Sequence, residues 1–443
     1  MMTLDDTIKF VLDQVTASGA TGDAILSQNS TLSLKVEDGA LSEYKVASGQ
    51  TISLRVVKDN RVGTSYSEAF DSEQLAAMVK DALMNAQFTK EDPHEQIRVR
   101  DIRISPSAES ITTETEIPVE NKVEMAVRLE QALREKPIPA SAPYNGLSES
   151  TRTVRVANTL GTDCSHHESH YTCFTSALID QEGQQAMHYS LRSAESFAGL
   201  DVDGCLDEAY STALDLLNSE GLKTGRYDVI FSPDCLSSLL GAFGIFVDGE
   251  SAMKGLNPLR ERIGHQVASK ALTLVNTPQL PGGSHSRPFD DEGFHTNETT
   301  IIDGGTLKTF LHNTKTSSFF AVPNTGNARR GGSGLKVAPQ HLHILPDTSN
   351  TTMVEDGQYL ELVSVDGMHS GANAISGDFS VGASGYVCEN GVRKRAFRGV
   401  TVAHNFYEML LNIRAIGSEA QWNSQRTLFT PLVRFEGCSI AGE

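Results

Sequence analysis

The chain has 443 residues, more than one hydrophobic core usually organises, so its length predicts at least two domains. Its 37 Lys and Arg against 56 Asp and Glu give a net charge of −19, which argues against nucleic acid or an anionic membrane as the main partner. No apolar run approaches the roughly 20 residues of a membrane-spanning helix, and the six cysteines form no CxxC pair. We therefore expect a soluble, acidic, cytoplasmic protein with free thiols.

The first half of the chain combines helical and strand patterns. Thr3 is placed to cap a first helix, alternating segments follow with turns at residues 38–39 and 59–60, and Ser72 begins a second helix. The polar residues 90–119 predict an extended crossing. Beyond it the pattern predicts a third helix near 123–133, about three strands within 147–193 and a helix closing at Gly221. Together these elements indicate an α+β domain with an antiparallel sheet, residues 1–221.

The second half, residues 222–443, opens with a strand at 227–231 and a helix that Ser232 caps ahead of Pro233. After residue 250 the chain is rich in glycine, with recurring short strand patterns and one clear helix near 406–413. This organisation predicts a mainly β domain with long loops of the kind that carry function.

Seven phrases along the chain point to one protein family. They read VEDGALSEYKVASGQTISLRVV at 36–57, FTKEDP at 88–93, PFDDEG at 288–293, TGNARR at 325–330, FSVGASGYVCENG at 379–391, RGVTVAHNFYEMLLNIRAIG at 398–417 and EGCSIAGE at 436–443. In their residues and in their order along the chain, these segments resemble the TldD/PmbA family, in its PmbA/TldE branch. The resemblance implies a subunit of a peptidase complex that acts on unfolded peptides, from a family also known as modulators of DNA gyrase.

One segment separates the two branches of this family. TldD-type subunits carry a helix reading HEAxGHxLEGD, in which two histidines bind zinc and the glutamate activates water. The corresponding segment here, LGAFGIFVDGE at 240–250, has Leu240 and Ile245 at the histidine positions and Gly241 at the glutamate position. The resemblance thus implies no catalytic residue, metal or cofactor in this chain, with zinc expected in a TldD-type partner. We expect Leu240 and Ile245 to be buried on one helix that starts near Ser232.

A second feature of TldD-type chains is also missing. They place a further cysteine near the C-terminus, whereas the corresponding residues 421–431 contain none.

A histidine-rich strand is a candidate metal site. In CSHHESH at residues 164–170, His166, Glu168 and His170 fall on one face of the strand. Alternating polar residues are equally typical of a solvent-facing strand, and the family's active subunits place no zinc ligand here. We therefore favour the solvent-facing strand.

Two loops are candidates for contact with substrate. Residues 285–295 contain two histidines with Asp290, Asp291 and Glu292, which could coordinate a cation, but we favour a structural loop or one that lines the substrate cavity. Arg329 and Arg330 precede a Gly-rich turn and could bind the carboxylate of a peptide. The turn itself follows no phosphate-loop pattern, so a flexible connection is the preferred interpretation.

Three functions remain open from the sequence. The leading hypothesis is a non-catalytic subunit that pairs with a TldD-type chain, or with a second copy of itself, around unfolded peptides. The second is a homodimeric peptide-binding or regulatory module that needs no catalytic partner. The third is an independent hydrolase that uses the cluster at 166–170 or a Cys–His pair.

Overall fold

The computed structural model describes residues 2–98, 117–331, 334–347 and 354–443, so much of the predicted crossing at 90–119 lies outside the described residues. The helices are α1 (Leu4–Ala17), α2 (Ser72–Phe88), α3 (Val119–Arg134), α4 (Val202–Leu217), α5 (Pro233–Ala242), α6 (Gly249–Met253), α7 (Thr314–Phe320), α8 (Met368–Gly371) and α9 (Phe406–Leu411). None of these described helices has the length and apolar character needed to span a membrane.

The strands fall into two large sheets and one hairpin. They are β1 (Thr21–Glu37), β2 (Ala40–Lys58), β3 (Arg61–Ser67), β4 (Asn145–Asn158), β5 (Asp163–Gln181), β6 (Gln184–Ala194), β7 (Gly225–Phe231), β8 (Leu274–Asn276), β9 (Thr299–Asp303), β10 (Thr306–Leu307), β11 (Ala328–Gly331), β12 (Gly334–Val337), β13 (Leu342–Ile344), β14 (Gln358–Asp366), β15 (Asp378–Glu389), β16 (Val392–Asn405), β17 (Ile413–Trp422) and β18 (Leu428–Ala441).

The first sheet is antiparallel and has the order β3-β2-β1-β4-β5-β6. Two-residue turns at 38–39 and 59–60 join its first three strands, and all four turn residues have positive φ, as such tight hairpin turns require. Helices α1 and α2 pack against one end of the sheet, and α3 and α4 against the other. The sequence-based prediction of these helices, turns and hairpins is confirmed, as is the α+β class.

The second sheet has ten strands and lies entirely after residue 224. The long strands β14, β15, β16 and β18 form its centre, and β7 pairs parallel to β14 and antiparallel to β18. Helix α5 packs against β7, β14 and β18 over a large apolar core. The predicted mainly β character of this half is confirmed, although β16 and β17 and the short helices α6 to α8 were not predicted.

One face of the six-stranded sheet, here called the open face, is covered by none of the helices described above. A small apolar cluster joins it to the second half of the chain: Phe289, fully buried, packs with Ile25, Val154, Val156 and Cys164. The loop at 284–296 and the β11–β12 hairpin therefore lie over this face, and a cavity remains between the hairpin and the strands.

Candidate functional site

Helix α5 contains the first positions of the segment that corresponds to the zinc motif. The Ser232 side chain accepts the N–H of Cys235, and Pro233 occupies the first helical position, which together define the start of the helix. Leu240 is 5% exposed and belongs to the apolar core of this half. Its predicted burial on a helix that starts near Ser232 is confirmed.

The prediction for Ile245 is wrong, because α5 ends at Ala242 and Ile245 lies in a separate 3-10 turn, where it is half-buried. Glycines at 241 and 244 are weak helix formers, and the ring of Phe243 stacks on Phe406 with 4.4 Å between centroids. The two glycines and the stacked ring of Phe243 end helix α5 at Ala242. Gly241 faces open space, since a Cβ atom added there would meet no neighbouring atom within 4 Å.

These positions cannot hold zinc. Neither aliphatic side chain carries a donor atom, and glycine at position 241 provides no base. The stretch 421–431 approaches the start of α5, because Ser424 donates its backbone N–H to Asp234 in the first turn of the helix at 2.9 Å. That stretch contains no cysteine. Whether the purified chain binds zinc elsewhere stays a prediction.

No hydrogen bond between described residues joins a cysteine to a histidine, and the pKa of one thiol, Cys205, is lowered, mainly by its hydrogen bond with Cys173. All six are buried free thiols. Burial raises the pKa of Cys164, Cys235 and Cys438 to about 12, so these groups stay protonated near neutral pH.

The candidate substrate residues Asp290 and Asp291 are both buried and engaged within the protein. Asp290 accepts backbone N–H groups from Glu292, Phe294 and Ala328 at 2.8–2.9 Å. Burial and the neighbouring Glu292 raise the pKa of Asp290 to about 7. Asp291 pairs with Arg287 at 3.0 Å and accepts the backbone N–H of Arg330 at 2.7 Å. Both carboxyl groups therefore stabilise the loop and the hairpin over the open face.

A buried charge network joins the two halves of the chain at this point. The Arg55 guanidinium in β2 contacts Glu292 at 2.8 Å and donates from Nε to Asp23 in β1 at 3.1 Å. Arg330 also pairs with Asp23 and donates to the carbonyl of Ser53 at 3.3 Å. Burial alone would raise the pKa of Asp23, but the two guanidinium groups outweigh it and the pKa is lowered. We call these residues the inter-domain charge network.

Arg329 and Arg330, the two arginines predicted to bind a peptide carboxylate, therefore differ in how available their side chains are to a ligand. Arg330 is mainly engaged by the charge network, and its buried Nε has no hydrogen-bond partner among the described residues. Arg329 is half-buried on β11 and forms no ion pair with a described residue. The predicted flexible connection is a two-stranded hairpin, β11–β12, within the described residues.

The cavity beneath this hairpin has a volume of about 780 Å³. Its lining is mixed: Ser27, Thr51, Ser53, Arg152 and Arg330 contribute polar groups, and apolar residues complete the wall. Arg152 is the more accessible of the two arginines, with 39% of its side chain exposed against 10% for Arg330. The space and the polar groups of its lining suit a peptide backbone and a carboxylate.

The histidine-rich strand β5 also contributes to the open face, beside this cavity. Glu168 lies 3.8 Å from Arg152 and 3.5 Å from Nδ1 of His285, whose ring centroid is 4.7 Å from that of His170. The structure thus brings together the strand and the loop that the sequence presented as separate clusters. His285 is the member that sequence reasoning did not connect to β5.

Burial and neighbouring charges together shift the pKa values of this cluster. Burial raises the pKa of Glu168, but His285 and Arg287 outweigh it and lower the pKa to about 2. Burial and His285 lower the pKa of His170 to about 4, and burial lowers that of His166. Within the described ranges, no group of three or more His, Cys, Asp or Glu side chains is placed to hold a metal ion. The polar strand lies partly buried beneath the loop rather than facing solvent.

Comparisons with known proteins agree along the whole chain. The sequence matches PmbA/TldA metallopeptidase domain 1 over residues 22–86, the central domain over 113–217 and the C-terminal domain over 224–442. It is 23% identical to the metalloprotease PmbA of Escherichia coli O157:H7 over 424 residues, 95% of this chain and 92% of that protein. It is 24% identical to the PmbA homologue of Haemophilus influenzae over 430 residues, with the same coverage of each chain.

Solved structures show the same fold. A protein described as a modulator of a DNA gyrase, from Thermotoga maritima, has a TM-score of 0.89 and 25% identity, covering 99% of this chain and 100% of that one. TldE from Thermococcus kodakarensis has a TM-score of 0.85 and 21% identity with the same coverage. Three consecutive domain matches and full-length structural similarity agree, and the chain therefore belongs to the PmbA/TldD metallopeptidase family.

Proposed function

We propose that this chain is a non-catalytic subunit of a TldD/TldE-type peptidase complex, acting in the cytoplasm. The observation that carries the proposal is the replacement of both zinc-binding histidines and the catalytic glutamate by Leu240, Ile245 and Gly241, within a family fold that is otherwise present. A fold can persist after its chemistry is lost. A TldD-type partner would supply the zinc, and this chain would supply part of the surface that holds an unfolded peptide.

The cavity beneath the β11–β12 hairpin is the surface that we assign to the peptide. Of the predicted arginines, Arg329 is the candidate partner for a peptide carboxylate, because Arg330 is engaged by the charge network and its Nε is buried; Arg152 is the more accessible guanidinium on the cavity floor. Asp290 and Asp291 act indirectly, by holding the hairpin in place. Sequence reasoning missed Arg152, which has no distinguishing signal within a strand of alternating polar residues.

The decisive experiment pairs the chain with a TldD-type chain that carries HEAxGH. We expect the two to co-purify, and the complex to cleave an unfolded peptide with activity that a chelator removes. The isolated chain should contain less than about 0.1 zinc per chain by elemental analysis and cleave nothing. The control is the same complex in which the partner's first motif histidine is replaced by alanine, which should assemble but remain inactive.

Each alternative function gives a distinct result in this experiment. Near-stoichiometric zinc and chelator-sensitive cleavage by the isolated chain would show an independent hydrolase and overturn the proposal. A stable homodimer that binds peptide but ignores the TldD-type chain would instead support a regulatory module that works alone.

A further inference from the structure

A small cavity lies at the junction of the two halves of the chain. Strand β6 and helix α4 contribute to its wall from the first half, and the start of α5 and residues 423–425 contribute from the second. Its volume is about 200 Å³, roughly that of six or seven water molecules in the liquid. It shares no described lining residue with the cavity beneath the hairpin, and we call it the junction cavity.

Two carboxylates face the junction cavity, and both have acceptor positions to spare. Asp234, in the first turn of α5, accepts one hydrogen bond on each oxygen, both from Ser424, at 2.9 and 2.7 Å. It forms no ion pair with a described residue, and burial raises its pKa. Glu208 on α4 contacts Ser190 and Arg192 through Oε2, at 2.8 and 2.7 Å, whereas its Oε1 accepts no hydrogen bond from a described residue. Each carboxylate can therefore accept further N–H groups.

His188 adds a third acceptor to the same cavity. It is 9% exposed, and it lies on the same face of β6 as Ser190, whose hydroxyl donates to α4. His188 lines the cavity, and neither of its ring nitrogens forms a hydrogen bond with a described residue. Burial lowers the pKa of His188, although Glu208 and Asp234 raise it. The imidazole is therefore neutral near pH 7, and one of its nitrogens is a free acceptor.

The remaining lining shows which kind of ligand suits these acceptors. No lysine or arginine is among the described residues that line the cavity, while Leu191 and Val363 add apolar surface. A matching ligand carries several N–H donors and a positive charge at one end and a short hydrocarbon chain at the other, as an alkylammonium ion does. A bare metal ion fits less well, because no group of three or more His, Cys, Asp or Glu among the described residues is placed to hold one.

We propose that the junction cavity is a binding site for a primary alkylammonium group, which donates its N–H groups to Asp234, Glu208 and His188. The inference goes beyond the proposed function, because this site lies on the helix-covered side of the six-stranded sheet and the cavity assigned to the peptide lies on the open face. A lysine side chain of a peptide and a free amine both present this group, and the test distinguishes them. Since the wall comes from both halves of the chain, the bound group should also stabilise the fold.

The probe is n-butylammonium chloride, titrated into the full chain by isothermal titration calorimetry at constant ionic strength. Asp234→Asn removes the charge but keeps an oxygen acceptor for Ser424, and it should raise the Kd about tenfold or more. His188→Phe keeps a ring but removes the acceptor, and it should raise the Kd about threefold or more. Asp207→Asn is the matched control on α4, because Asp207 is 73% exposed and pairs with Lys136 at 3.0 Å. It should bind like the wild type.

A second set of probes separates charge from size and one source from the other. The neutral analogue 1-butanol should bind about tenfold more weakly or less tightly still, because it offers the carboxylates no charge. The peptide acetyl-Gly-Lys-Gly-amide is compared with the same peptide containing norleucine in place of lysine. Binding of the lysine peptide alone would assign the site to a basic side chain. Binding of n-butylammonium but of neither peptide would assign it to a free amine.

Three outcomes would overturn the inference. They are equal binding of n-butylammonium by the wild type and Asp234→Asn, binding of 1-butanol as tight as that of the amine, and no saturable binding by the wild type. The urea unfolding midpoint without ligand shows whether each variant folds, and His188→Phe decides the question if Asp234→Asn does not. The co-purification experiment decides the proposed function separately.

Discussion

Replacement of Arg55 by methionine should destabilise the protein strongly, because Arg55 is the central cation of the inter-domain charge network. Its side chain is 4% exposed, and its carboxylate partners Asp23 and Glu292 are 2% and 3% exposed. Methionine fills a similar volume but carries no charge. Asp23 would then keep Arg330 alone as its cationic partner. Glu292 would keep one hydrogen bond, which it accepts from the backbone N–H of Thr314 at 2.8 Å. Removing one member of a buried ion pair costs about 3–5 kcal/mol of unfolding free energy.

The assay is urea unfolding at pH 7, followed by circular dichroism and by the fluorescence of Trp422, the single tryptophan. Arg128→Met is the matched control, because Arg128 pairs with Asp203 at the surface, where the two side chains are 52% and 70% exposed. An exposed pair contributes less than about 1 kcal/mol. If Arg55→Met costs no more than Arg128→Met, the network does not hold the two halves together.

The pH dependence gives a second check on the same variant. The pKa of Asp23 is lowered in the fold, so its contribution is present above its ordinary value of 3.8 and is lost as pH falls through the folded pKa. The difference in stability between wild type and Arg55→Met should therefore shrink below about pH 4, where the abandoned carboxylates can be protonated. A difference that grows on acidification would contradict the electrostatic explanation.

Three further predictions concern α5 and the assembly that we propose. Leu240→Ala should cost about 2–5 kcal/mol in urea unfolding, as for other core leucines, and a loss under about 0.5 kcal/mol would contradict its core position. Leu240→His combined with Gly241→Glu and Ile245→His should not create a zinc enzyme, because the helix ends before Ile245 and the further cysteine is absent; stoichiometric zinc with peptidase activity would disprove this. The isolated chain should sediment as a dimer with an interface on the order of 2,000 Å², and a strict monomer at micromolar concentration that ignores a TldD-type chain would contradict the pairing hypothesis.

The elements that the sequence predicted well are those specified by neighbouring residues. The Thr3 cap is an example, since its side chain accepts the N–H of Asp6, only three residues away. The turns at 38–39 and 59–60 likewise depend on residues that tolerate positive φ. Such local signals located the first two helices, parts of the first two strands and the turns that follow them.

The contacts that build the candidate site join residues far apart in the chain, and the sequence gives no local signal for them. Arg55 and Glu292 are separated by 237 positions, and each is unremarkable within its own segment. His285 approaches Glu168 only because the loop that contains it folds over β5. The same reasoning explains the error at Ile245, because stacking of Phe243 on Phe406 depends on a helix far along the chain.

The helix that corresponds to the zinc motif shows why scaffold and chemistry can separate in this fold. Burial of Leu240 contributes to the core, and the position of α5 is set by its contacts with β7, β14 and β18. A zinc site would need a different set of atoms at 240, 241 and 245, but the sheet against which the helix packs would be unchanged. The open face lies in the other sheet, so the peptide binding that we propose there does not require the metal. Under the proposed function, a subunit of this kind can lose catalysis without losing a surface for substrate.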